Sequence, residues 1–114
     1  MFVSVLVRRL RPGKTYQDFL DAWYPDRGFG VPVRGPYLAR NPDDDRDIVA
    51  VCFVDGADSA ALAEGLASVS AQEQQRHDRI DAVIESTSLR GIYEIEDEFD
   101  FSTDESVART RPAT

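Results

Sequence analysis

Apolar and polar positions follow a period of two at the start of the chain and then switch to a helical period. Phe2 to Leu10 (FVSVLVRRL) is short and rich in β-branched residues, which predicts a strand. Val3, Val5 and Val7 share one face, and Phe2, Ser4, Leu6 and Arg8 share the other. A strand apolar on most of both faces belongs in the middle of a sheet. Arg11-Pro12-Gly13-Lys14 breaks it, and Thr15 with Asp18 then has the spacing of a helix capping box. Tyr16, Phe19, Leu20 and Trp23 follow at i, i+3, i+4 and i+7, the stripe of an amphipathic helix that Pro25 ends. Residues 25–36 hold three prolines and three glycines and read as a long irregular loop, of the kind that serves as a lid.

A short strand is expected over Tyr37 to Arg40, starting near Val33, with the polar run Asn41 to Asp47 as a hairpin turn. Ile48 to Asp55 is the next strand. Ile48, Ala50, Cys52 and Val54 lie on one face and Val49, Val51 and Phe53 on the other, so it too reads as central. Asp58 or Ser59 caps a second helix, with Leu62, Leu66 and Val69 in its stripe. Ser70 with Glu73 repeats the capping-box spacing and marks a kink or restart, and Ile80, Val83 and Ile84 carry the stripe to about Glu85. Ser86-Thr87-Ser88 is then a connector. In residues 92–101, Tyr93, Ile95, Phe99 and Phe101 alternate with Glu94, Glu96, Glu98 and Asp100, which predicts a last strand with one buried and one acidic face. Asp97 is the exception and marks a bulge or a strand end. The tail 102–114 is expected to be poorly ordered.

The resulting order is β-α-β-β-α-β. It predicts a ferredoxin-like α+β domain over residues 1–101: a four-stranded antiparallel sheet with both helices on one face. The other sheet face is left bare, and the apolar residues there call for a cover. A second copy of the chain, sheet against sheet in a twofold homodimer, is the simplest one.

Composition narrows the function classes. The 114 residues are 42% hydrophobic and 30% charged, the balance of one globular domain. A formal net charge of −8 argues against nucleic-acid binding. The small basic cluster of Arg8, Arg9, Arg11 and Lys14 reads as a solvated rim rather than a phosphate site. With one cysteine (Cys52) and one histidine (His77), neither a disulfide framework nor the usual zinc or iron sites are open to the chain. The absence of a long apolar run and of a leader pattern predicts no membrane and a cytoplasmic location. Twelve arginines to a single lysine point to a GC-rich bacterial genome.

The first strand followed by R-P-G-K-T-Y-Q-D-F-L-D-A-W, and the long second helix leading to a final D-E-F-D-F, resemble the dimeric α+β-barrel superfamily. That superfamily includes the antibiotic-biosynthesis monooxygenases and the EthD-like proteins, and the resemblance covers residues 1–101. It implies a pocket in each protomer between sheet and helices, partly closed by the long loop. It further implies a small homodimeric enzyme, with oxygenation of a planar aromatic or polyketide-like molecule without a cofactor as the leading activity. The cofactor-free oxygenases often carry an asparagine on the first strand with a tryptophan nearby. Here that strand has no asparagine, and Trp23 lies on the first helix. Haem-processing relatives ligate iron through a second-helix histidine, a type and place that His77 matches, though their accompanying asparagine is missing.

His77 is the catalytic candidate, because its unperturbed pKa lies nearest neutrality. Glu73 and Asp81, four residues away on either side, are placed to orient its ring or raise its pKa. The plainer reading is an exposed helix histidine. Trp23 and Tyr24 are candidates to stack on a flat ligand, against core packing for Trp23. Tyr37 and Phe53 face either the same pocket or the dimer interface. Arg34 and Arg40 flank Tyr37 as candidates for a carboxylate or phenolate, against salt bridges with the Asp43–Asp47 run. That run lacks the glycine and glutamate of a calcium loop and reads as a solvated hairpin tip. Cys52 reads as a small core residue. Two further readings stand beside the oxygenase: a non-catalytic dimeric ligand-binding or structural module, and haem binding through His77, which would give a Soret band on titration.

Overall fold

The computed structural model describes residues 1–24 and 28–102, and the backbone of 108–111. Strand β1 (Phe2–Leu10) has the span its β-branched pattern predicts. Helix α1 (Tyr16–Trp23) starts with the expected capping box. The Asp18 backbone N–H donates to Thr15 Oγ1 at 3.2 Å, and the Thr15 N–H donates to Asp18 Oδ2 at 2.8 Å. Pro25, expected to stop this helix, lies outside the described residues.

Strand β2 (Arg34–Asn41) begins next to Val33, near where its start was expected, and takes in the end of the 25–36 stretch, with a register shift between Arg34 and Tyr37. Strand β3 (Asp44–Val54) claims most of the expected hairpin turn, leaving only Pro42 and Asp43 between the strands. Asp44 accepts from Arg9 at 2.8 Å, and Asp47 accepts from the Asn41 amide at 3.1 Å. Part of the acidic run therefore belongs to the ladder rather than to a solvated tip.

Helix α2 (Ser59–Ser68) is capped by Asp58, whose side chain accepts from the Ala61 N–H at 2.8 Å. It is separated from α3 (Ser70–Asp81) at Val69, where φ is −115° and ψ is 12°. The interruption expected at Ser70 is present, but its capping box is not: no side chain caps α3, and Glu73 turns to Arg76 instead. The second helix was also expected to continue to about Glu85. It ends at Asp81, and Ile84 opens β4 (Ile84–Glu94), so Ser86-Thr87-Ser88 is strand and not connector. Ile80 and Ile84 do face one core, but from a helix and from the strand that follows it.

The sheet order is β2-β3-β1-β4, all antiparallel. With the three helices among the described residues, this is an α+β architecture compatible with a ferredoxin-like fold. The inner face carries Phe2, Leu10, Ile48, Ala50, Val54 and Ile84, all buried. On the outer face Val3, Val5 and Val7 sit beside Phe53, Val51 and Val49 of β3 and beside Tyr93, Gly91 and Leu89 of β4. Tyr37 of β2 extends the same row past Val51 and is 55% exposed. The apolar side of residues 92–101 was expected to be buried, yet Tyr93, Phe99 and Phe101 are exposed. The ladder to β1 ends with Glu94 opposite Phe2, followed by one bond from the Ile95 N–H to the Met1 carbonyl at 2.9 Å. Beyond it, β5 (Glu98–Asp100) pairs with β6 (Ala108–Arg111) as a separate two-stranded sheet within the segment expected to be domain end and tail. Among the described residues, no helix is long and apolar enough to cross a membrane.

Candidate functional site

The layer between sheet and helices is filled at one end and hollow at the other. Leu10, Phe19, Trp23, Ile48, Ile80 and Ile84 form the filled end, where α1 and α3 lie over β1, β3 and β4. Toward α2 the inward strand positions are small, Ser4, Ala50 and Cys52, and a cavity of about 590 Å³ opens above them. Its apolar wall is Leu6, Val54, Leu62, Leu66, Trp23 and, from the loop before β2, Phe29, Val31 and Val33. Its polar wall is Glu73, Gln74, Arg76 and His77 of α3 with Arg90 of β4. A volume of this size and a mainly apolar lining with few polar groups are typical of small-molecule sites.

Two glycines seat the loop on this cavity. Gly30 has φ of +84°, and a Cβ there would overlap the Gly65 carbonyl. A Cβ on Gly65 would lie 2.7 Å from the Gly30 oxygen and collide with Val31. The loop and α2 therefore touch backbone to backbone, which only glycine permits at both positions.

His77 is mostly buried, its side chain 14% exposed, and lines the cavity instead of standing free on the helix. Its Nδ1 lies 3.2 Å from Nη2 of Arg8, and its Nε2 lies 3.3 Å from Nη2 of Arg90. Glu73 Oε2 is 3.7 Å from Nε2, but it accepts the stronger bond from Arg76 at 2.6 Å. Burial pushes the His77 pKa down, and Arg90, Arg76 and Arg8 push it further in the same direction against Glu73. The expectation that neighbouring carboxylates raise this pKa is thus reversed. Three guanidiniums surround the ring, and Asp81 acts on Arg8 rather than on the histidine.

Arg8 is the residue that sequence reasoning misplaced. Expected on a solvated rim, it is 5% exposed, with Nη1 buried and unpartnered. Desolvation first, then Arg90 and Arg76, lower its pKa to about 10. The signal for its burial was present, since Arg8 shares the strand face of Phe2, Ser4 and Leu6. Arg76 is equally buried: it bonds Glu73 and the Trp23 carbonyl, and its guanidinium lies 5.1 Å from the Trp23 ring and 5.3 Å from the Phe29 ring. No local pattern announces Arg76 or Arg90 as site residues.

Of the candidate residues singled out in the sequence, the structure brings Trp23 and His77 to the cavity. Tyr24 closes α1 and is 68% exposed, outside the lining. Tyr37 lies on the outer sheet face, where its neighbour Phe53 also sits. Arg34 is there too, stacked 4.5 Å from the Phe53 ring and paired with Asp55 at 3.2 Å. Cys52 is half-buried on the cavity floor, and burial raises its thiol pKa, which keeps it protonated and a poor nucleophile. Compared with protein-family models, curated protein sequences and solved structures, the chain matches none of them.

Proposed function

We propose that this protein binds a small, planar, largely apolar molecule in the cavity between its sheet and helices, with His77 at the polar end of that site. The observation that carries this reading is the 590 Å³ hollow itself. A structural module would close the space above Ser4, Ala50 and Cys52 with larger side chains. Instead a loop seated on two glycines lays Phe29, Val31 and Val33 over it. Trp23 and Phe29, with ring centroids 6.4 Å apart and planes tilted by 46°, supply two aromatic faces against which a planar guest packs.

Oxygenation of the bound molecule is what the superfamily resemblance implies. In that chemistry a ring CH2 becomes a carbonyl, one oxygen atom of O2 enters the product and the other leaves with the two hydrogens as water. The first step needs a proton acceptor at the substrate, and the role expected for His77 is that base. The ring's surroundings favour binding over base catalysis, since an arginine nitrogen stands within 3.3 Å of each imidazole nitrogen. The same crowding of cations weighs against haem, whose iron would need one of those nitrogens bare.

Isothermal titration with 2-naphthylmethanol tests the binding reading, with Ala50→Leu as the control that fills the cavity from the sheet side. One saturable site per chain, lost in Ala50→Leu with an unchanged circular dichroism spectrum, is the expected outcome. No binding of this alcohol or of its carboxylate analogue 2-naphthoate, or equal binding by both proteins, would overturn it. Consumption of O2 with a bound anthrone that disappears in His77→Ala would restore the catalytic reading.

The second element of the proposal is a twofold homodimer closed through the outer sheet face, which would make the dimeric barrel. Val3, Val5, Val7, Val49, Val51 and Phe53 are only half-buried there, and Tyr37, Leu89 and Tyr93 are exposed around them. A contiguous apolar face of this kind marks an interaction surface. Light scattering should give twice the chain mass of 12.7 kDa, and Val5→Lys, a central charge on that face, should halve it. A wild-type monomer would remove the dimer.

A further inference from the structure

We infer that the cavity selects ligands bearing an anionic oxygen, a carboxylate or an enolate, received by Arg90 and the Nε2–H of His77, while Arg8 holds that ring in the receiving tautomer. The inference rests on the cavity-binding reading above.

A neutral imidazole has one N–H and one lone pair. Here both ring nitrogens lie close to guanidinium nitrogens, which can only donate. One contact is therefore a hydrogen bond and the other sets donor against donor. Arg8 is buried with one nitrogen already orphaned, so withholding the lone pair from it would leave a second buried donor unmet. Arg90 is exposed and has water available. The less costly arrangement gives the Nδ1 lone pair to Arg8 and leaves the proton on Nε2. The Nε2–H and Nη2 of Arg90 then lie 3.3 Å apart on the cavity lining and, among the described residues, meet no protein acceptor within hydrogen-bond distance. Glu73 does not fill that place: both its oxygens accept from Arg76, at 2.6 and 3.3 Å, and Oε2 stays 3.7 Å from Nε2.

The charges point the same way. Arg8 from β1, Arg76 from α3 and Arg90 from β4 face the ring, with Glu73 as the carboxylate beside it. Asp81 offsets Arg8 in part. Water supplies an acceptor oxygen but does not neutralise the excess of cations. An anionic oxygen does both, and charge-assisted bonds to it are the stronger kind. The occupant is then an amphiphile: an apolar plane against Trp23, Phe29, Leu62 and Leu66, and an anionic group at Arg90 and His77.

Matched probes test this. We compare 2-naphthoate with neutral 2-naphthylmethanol by isothermal titration at pH 7.5 on the wild type and on Arg90→Gln. The acid should bind about tenfold tighter or better than the alcohol, and Arg90→Gln should bring the ratio close to one. Equal affinities in the wild type would overturn the anion assignment while leaving the cavity reading intact. No binding of either probe would overturn both. A ratio that survives Arg90→Gln would overturn the assignment to Arg90. The positioning role of Arg8 has its own readout, because a chain with one histidine gives one unambiguous pair of imidazole 15N signals. The wild type should show Nε2–H, Arg8→Lys should keep it, and Arg8→Met should mix the tautomers. Nδ1–H in the wild type would overturn the role of Arg8 without any variant.

Discussion

The two ends of the layer between sheet and helices are built from the same strands and differ in what their inward positions hold. At the filled end, Leu10, Phe19, Ile48 and Ile80 are fully buried and interlock. At the hollow end the strands present Ser4, Ala50 and Cys52, and the helix side presents Leu62, Leu66 and a glycine-seated loop. One end supplies stability through close packing; the other leaves a shaped space with His77 and Arg90 on its polar wall. The fold thus tolerates its cavity because α1 and α3 are anchored elsewhere. Binding and stability should accordingly be separable by mutation.

The largest effect belongs to the filled end. Phe19→Ala should destabilise by ~3–5 kcal/mol in urea unfolding, because the neighbours cannot collapse into the space. Leu62→Ala, beside the existing hollow, should cost less, about 2 kcal/mol, since part of its surroundings is already void. Equal costs would break the comparison. Gly65→Ala sharpens it further. The added methyl forces the Gly30–Val31 segment away from α2, while alanine favours the helix by about 1 kcal/mol, so the net loss should be only about 1 kcal/mol. Dissociation of a naphthalene probe should nevertheless quicken in stopped-flow fluorescence, because the lid is displaced.

The smallest effect is a pH dependence. His77 has a lowered pKa in the folded state, with Arg8, Arg90 and Arg76 facing it and Glu73 opposing them. Below about 6.5, the ordinary value, the unfolded chain takes up this proton before the folded one. The contribution is therefore fully present above that pH and is lost as pH falls through the folded pKa. Urea midpoints measured between pH 8 and 5 should show this loss, and His77→Gln should flatten it. A wild-type profile identical to that of the variant would contradict the crowding of cations around the ring.

Local rules made much of the fold legible. The capping pair Thr15 and Asp18 and the apolar run of β1 act over a few residues, so their outcome was readable. The boundary before β4 was not, because Ile80 and Ile84 satisfy a helical stripe equally well whether the chain continues as helix or turns into strand. The alternation through residue 101 was real but was not one strand: β4 ends at Glu94, and Glu98–Asp100 pairs in a separate sheet. At the site, Trp23 and His77 were visible by residue type. The remainder depends on contacts such as Arg8 with His77, 69 positions apart, and Arg90 with His77 across the helix–strand turn. Such meetings follow from topology and have no local signature. The small inward residues Ser4, Ala50 and Cys52 were visible as a row, but only the path of the loop above them makes that row a floor.

The most direct test of the central claim follows the single imidazole by 1H–15N correlation while 2-naphthoate is added to the intact chain. Saturable shifts of the His77 ring signals are expected, with those of Nε2 larger than those of Nδ1, absent in the cavity-filled Ala50→Leu protein. Saturable binding that leaves the His77 ring signals unmoved would contradict it.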